Sequence, residues 1–111
     1  MEYVSGNIFI REMRFDDRAG SVVDGHTHNF DHTTYCVRGS VKVEELDANG
    51  STLRETSIRA ADGKNWVLIK AGSCHRLTAL EDNTVCHCVY AHRNPQGEVV
   101  QEYDGWIKGY E

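Results

Sequence analysis

The feature that most constrains this chain is the near absence of a helical period. No stretch of a dozen residues keeps apolar side chains at i, i+3, i+4 and i+7. Short alternating segments bounded by turn residues take its place. The alternation predicts strands over 7–15, 39–46, 51–59, 64–70, 74–80 and 84–92, with a last strand over 98–103. Asp47-Ala48-Asn49-Gly50 separates two of these segments and reads as a hairpin turn, because Asn-Gly tolerates the positive φ that tight hairpins demand. About eight short strands at regular spacing point to an all-β architecture, either a barrel or a double-sheet jelly roll.

Length limits this to one domain over residues 1–111, since two halves of so short a chain would each bury too little surface. The barrel core is expected over about 5–92. A C-terminal strand and an aromatic tail with Tyr103, Trp106 and Tyr110 occupy 98–111. The composition, 40% hydrophobic and 26% charged, is that of a folded domain rather than a disordered one.

The net charge of -5 argues against a nucleic-acid partner, whose footprint would be a basic patch. The longest apolar runs, Trp66 to Ile69 and Cys88 to Ala91, are far short of the ~20 residues of a membrane helix, so no membrane partner is expected. The first fifteen residues carry Glu2, Arg11, Glu12 and Arg14 and lack the apolar centre of a secretion signal. A cytoplasmic protein with its four cysteines reduced is the expectation.

The unusual count is six histidines. His26-Thr27-His28 places two imidazoles on one face of an extended segment. His32 follows after a polar corner, where it can open the next strand and face the same interior. His75, far away in sequence, also starts a predicted strand. Three or four neutral imidazoles converging inside a barrel suit a divalent first-row metal such as iron, manganese, nickel, copper or zinc.

The glycine context of these histidines resembles the cupin superfamily. Its usual first motif runs Gly, five residues, His-x-His, three or four residues, Glu, six residues, Gly. Here Gly20, His26, His28, His32 and Gly39 keep that spacing, with His32 where Glu is usual. The second motif is degenerate. Gly72 and His75 are kept, Lys70 and Ala79 replace the proline and the asparagine, and Gly63 sits one residue early. The resemblance covers roughly residues 5 to 92. It implies a small cupin β-barrel in which His26, His28, His32 and His75 are metal ligands, as in small single-domain bacterial cupins with a four-histidine site. Such barrels commonly dimerise, so a homodimer is expected, with the aromatic tail as a candidate contact.

His87 lies twelve residues after His75, a position that tends to point into the pocket of small cupins. It is the candidate catalytic acid/base group, against the alternative of a core histidine bonded to backbone. Thr34 and Cys36 should continue the inward face begun by His32. Cys36 reads as a small buried hydrophobe or a pocket floor. His92 is expected at the rim. Phe30, Tyr35 and Trp66 could shape a substrate mouth or simply pack.

The resulting functional expectation is a dioxygenase-type oxidoreductase that uses the four-histidine metal on a small-molecule substrate. A redox-neutral metal-dependent lyase or isomerase, or a non-enzymatic metal- or ligand-binding cupin, are the alternatives. No Gly-x-Ser-x-Gly elbow, phosphate-cradling loop or dinucleotide fingerprint is present.

Overall fold

The structure is a computed structural model that describes residues 1–15, 18–24, 27, 29–99 and 107–110. At Tyr3, Ser5 and 107–110 only the backbone is described. Ten strands and no helix are present among the described residues. They are β1 (Glu2–Ser5), β2 (Ile8–Arg14), β3 (Val22–Asp24), β4 (His32–Arg38), β5 (Ser40–Leu46), β6 (Thr52–Arg59), β7 (Trp66–Ile69), β8 (Cys74–Ala79), β9 (Val85–Ala91) and β10 (Ile107–Tyr110).

Two antiparallel sheets result. The larger has the order β10-β1-β2-β9-β4-β7 and the smaller β3-β8-β5-β6. The crossovers between sheets make this a jelly-roll barrel, as the alternating sequence predicted. The strands β1, β3 and β10 were not foreseen. The predicted strand over 98–103 is reduced, in its described part, to a bridge between Arg93 and Val99, and 100–103 lie outside the described residues. Tyr103 and Trp106 of the expected aromatic tail also lie outside them. Ile107–Tyr110 pairs with Glu2–Ser5 of the same chain.

The period-2 pattern determines which side chains fill the barrel. In β8, His75, Leu77 and Ala79 are buried while Cys74, Arg76 and Thr78 are half-buried. In β5, Val41 and Val43 face the same interior, and Val43 is the register partner of Leu77. From the larger sheet come Met13, Cys36, Ile69, Cys86 and Cys88. Phe15 and Leu77 are nearly fully buried, each contributing roughly 1.5–3 kcal/mol by burial.

The β5–β6 hairpin forms as expected, with a difference in detail. Asp47 Oδ1 accepts hydrogen bonds from the Asn49 and Ser51 amides, and the Gly50 amide donates to the Asp47 carbonyl at 3.0 Å. The left-handed residue is Gly50 alone, at φ 82°, and the register shifts beyond Glu45. This is a turn closed by a glycine bulge rather than an Asn-Gly pair with two positive φ angles.

Gly39, which closes the first glycine-histidine motif, links β4 to β5 at φ 76°. A β-carbon there would stand 3.1 Å from the Thr84 α-carbon. This position therefore needs glycine for both its backbone angle and the close approach of the chain beside it.

Candidate metal centre

His32 opens β4 on the larger sheet, and His75 is the second residue of β8 on the smaller one. Both are buried, at 4% and 6% exposure. Their ring centroids lie 5.4 Å apart with the planes tilted by 52°. Facing sheets thus bring together two imidazoles from residues 43 positions apart in the chain. Two imidazoles in adjacent positions on one divalent ion, with metal–nitrogen bonds of ~2.1 Å, have centroids roughly 4.5–5.5 Å apart. The pair fits that chemistry in donor type, burial and separation. Among the described residues no group of three or more His, Cys, Asp or Glu completes a site. His26 and His28, the other two expected ligands, lie outside the described residues.

Rings buttress His32 on one side. Phe30 and Tyr90 approach it at centroid distances of 6.4 and 6.1 Å. Phe30 and Tyr90 touch each other at 4.7 Å, and Phe9 stacks on Tyr90 at 4.8 Å. The Arg93 guanidinium lies over the Phe30 ring at 4.7 Å. Phe30 is thus part of the packing around His32. The Tyr90 phenol is pushed above its usual range, chiefly by burial, so it keeps its proton at neutral pH.

Two cavities flank the histidine pair. One of about 120 Å³ is lined by His32, His75, Cys88, Tyr90 and Arg11, among others, on the β3 side of the barrel. The other, of about 290 Å³, lies along the seam between β6 and β7 and has His75 as part of its wall. Trp66, 40% exposed, stands in this second cavity, where the sequence allowed it a place in a substrate mouth. Tyr35, its register partner, lines neither cavity.

His87 is not brought to this site, which corrects the sequence expectation. In β9 the side chains that reach the interior are Cys86, Cys88 and Tyr90. His87 therefore emerges on the outer face of the larger sheet. Its Nε2 lies 2.9 Å from Glu12 Oε1, on the register partner in β2. That hydrogen bond is the main reason the Glu12 carboxyl is held below its usual range. The reason for the misplacement is that both alternating sets in β9 are largely apolar, so the sequence did not say which set faces inward.

Thr34 and Cys36 do face inward, both at 0% exposure. Cys36 takes a packing role rather than a pocket role. It is the register partner of Cys86 and lines neither cavity by the histidines. A hydrogen bond between them pulls the Cys36 thiol down and, with burial, pushes the Cys86 thiol up. None of the four cysteines is in a disulfide. Sequence reasoning missed Glu45 and Arg54. They form a row with His75 across β8, β5 and β6 on the inner face of the smaller sheet. The signal was present, since both continue the inward alternation of Val43 and Thr56 toward the hairpin.

These strands and their order are those of a cupin barrel, the class of fold that the first glycine-histidine motif announced. Solved structures of similar fold include the oxalate decarboxylase of Bacillus subtilis, with a TM-score of 0.62 and 23% identity over 79% of this chain. Another is a formate complex of the oxalate decarboxylase of Lactobacillus farciminis, with a TM-score of 0.61 at 23% identity over 79% of this chain. The chain spans only 22% and 24% of the lengths of those two proteins. No family model matches the sequence, and no curated protein matches it. No helix among the described residues is long and apolar enough to cross a membrane.

Proposed function

We propose that this chain is a metal-binding cupin in which His26, His28, His32 and His75 hold one divalent transition metal, and that it acts as a dioxygenase-type oxidoreductase on a small molecule. The observation that carries the reading is the His32–His75 pair, buried, 5.4 Å apart and set between two cavities. A divalent metal held there would supply Lewis acidity and one-electron chemistry with oxygen. The chain's own residues supply the rest. Facing sheets fix the two imidazoles, Phe30 and Tyr90 restrain the His32 ring, and the cavity walls leave room for a ligand beside His75. An all-histidine shell is neutral, so the metal keeps its full charge toward an anionic ligand.

A redox-neutral lyase is the second reading. The neighbours in fold are named for a decarboxylation, and a site with one proton-bearing phenol, Tyr90, at its wall suits carbon–carbon cleavage without oxygen.

Metal analysis of protein purified without added metal tests the centre. About one equivalent per chain is expected, with tenfold or greater loss of affinity (~1.4 kcal/mol or more) in His32→Gln and His75→Gln. Unchanged metal content in both variants refutes the assignment. Oxygen uptake with the iron or manganese form, on a panel of diketones, thiols and phenols, separates the two reactions, because turnover that persists under anaerobic conditions selects the lyase.

A further inference from the structure

The cavity along the β6–β7 seam carries a charge opposite to that of the whole chain. The protein has a net charge of -5. Yet this cavity is lined by Arg54, Lys64 and Lys70 against a single carboxylate, Glu45. Glu45 is already engaged, with Arg54 Nη2 at 2.8 Å from its Oε2. Among the described residues no carboxylate forms an ion pair with Lys64 or Lys70. A local excess of positive charge in an acidic protein draws anions to one place on its surface.

The register fixes how these groups are arranged along the cavity. Ile69, the residue before Lys70, is the partner of His32 in β4. Arg54 stands in the His75–Glu45–Arg54 row. Lys70 and Arg54 therefore mark the histidine end of the groove. Val43, Thr56 and Val67 line its middle. Trp66 closes the far end, with the Lys64 ammonium 4.9 Å above its ring. The volume, about 290 Å³, is at the lower bound of small-molecule sites, ~300 Å³.

From this arrangement we infer that the β6–β7 groove is the substrate site and takes an organic carboxylate with an apolar, preferably aromatic, body. The carboxylate lies toward Lys70 and Arg54, beside His75, and the body runs along Val43 and Val67 to the Trp66 ring. Glu45 keeps the Arg54 guanidinium turned along the wall of the groove. The identification of this groove as a substrate site rests on the metal reading above. Its preference for an apolar anion stands on the lining alone. A dicarboxylate without an apolar body, such as oxalate, fills too little of the groove to use Trp66.

The test uses the full chain with Trp106→Phe, which leaves Trp66 as its one tryptophan. Quenching of tryptophan fluorescence is followed during titration with phenylacetate, with its neutral isostere phenylacetamide and with oxalate. Each titration is run on metal-loaded and on chelator-treated protein. Phenylacetate is expected to bind at least about tenfold more tightly than the amide and than oxalate, and to weaken as salt is raised. Lys70→Gln and Arg54→Gln, both at exposed positions, are each expected to weaken phenylacetate about tenfold and to leave the amide unchanged. Equal binding of acid and amide, or an unchanged affinity in both variants, overturns the inference. Anion binding by a protein that takes up no added iron, manganese or zinc leaves the groove standing and removes the metal reading. Metal binding without anion preference does the reverse.

Discussion

Replacing Gly39 with alanine tests how the motif glycine holds the barrel together. Two costs add at this position. A residue with a β-carbon at φ 76° costs ~1–2 kcal/mol in the left-handed region. The new methyl would also meet Thr84, whose α- and β-carbons stand at 3.1 and 3.2 Å and whose hydroxyl is nearer still. Thr84 has little freedom to withdraw. It is 1% exposed, and its hydroxyl donates to the Glu81 carbonyl at 3.0 Å and lies near both backbone polar groups of Ser40. Forcing a methyl into such a contact costs a further ~1–3 kcal/mol. The total is ~2–5 kcal/mol. An unfolding entropy of ~2.1 cal/mol/K per residue converts this into a fall in Tm of ~9–21 °C for a chain of this length.

Gly50 is the matched control. Its φ is 82°, nearly the same, but nothing lies within 4 Å of a β-carbon built there. Gly50→Ala should incur only the backbone cost, ~1–2 kcal/mol, or ~4–9 °C. Thermal and urea denaturation followed by circular dichroism gives both values. If the two variants lose the same stability, crowding by Thr84 plays no part and the reasoning about the close approach is wrong.

Three further outcomes are expected. His87→Ala should keep its metal content and lose no more than ~1 kcal/mol, the order of one part-buried hydrogen bond; elemental analysis showing metal loss would return His87 to the site. Glu44, held to a pKa of about 2 first by the Thr52 hydroxyl and then by Arg76, should contribute stability above pH 4.5 that disappears as pH falls toward 2. In Glu44→Gln that part of the acid unfolding curve should flatten, and an unchanged curve would show that the hydrogen bonds do not hold the carboxylate in the folded state. Phenylacetate binding should fall as ionic strength rises from 0.01 to 0.5 M (Debye length from ~30 to ~4 Å), read by the same fluorescence titration, whereas a purely apolar groove would show no loss.

The fold was legible where local chemistry acts alone. The turn at Asp47-Ala48-Asn49-Gly50 and the strict alternation of β8 define a hairpin and an inward face without tertiary information. His32 and His75 were legible because a polar corner before the first and Gly72-Ser73 before the second marked strand starts. The short strands β1 and β3 were not, since three or four residues carry too little alternation to register. The direction of His87 was not, because Cys86, Cys88 and Tyr90 compete with Val85, His87 and Val89 on nearly equal terms for the interior. Only pairing with β2 and β4 settles which set is covered. Arg54 and Glu45 were passed over because each, read alone, is an ordinary charged residue beside a hairpin; their meaning comes from the row that β8, β5 and β6 form together.

The thiols at the centre of the larger sheet have a consequence beyond packing. Cys36 and Cys86 are sealed at 0% exposure, Cys88 lines the small cavity beside the histidines, and Cys74 is half-buried. A thiol reagent therefore meets Cys74 and the cavity-facing Cys88 on the closed barrel, and two sulfurs that open only when the strands part. The slow reaction of those two is a clock for opening of the sheet, with Cys74 as its internal time zero. Oxidants meet the same barrier, so damage at the two sealed sulfurs accumulates only in the opened chain, where it would block the barrel from closing again.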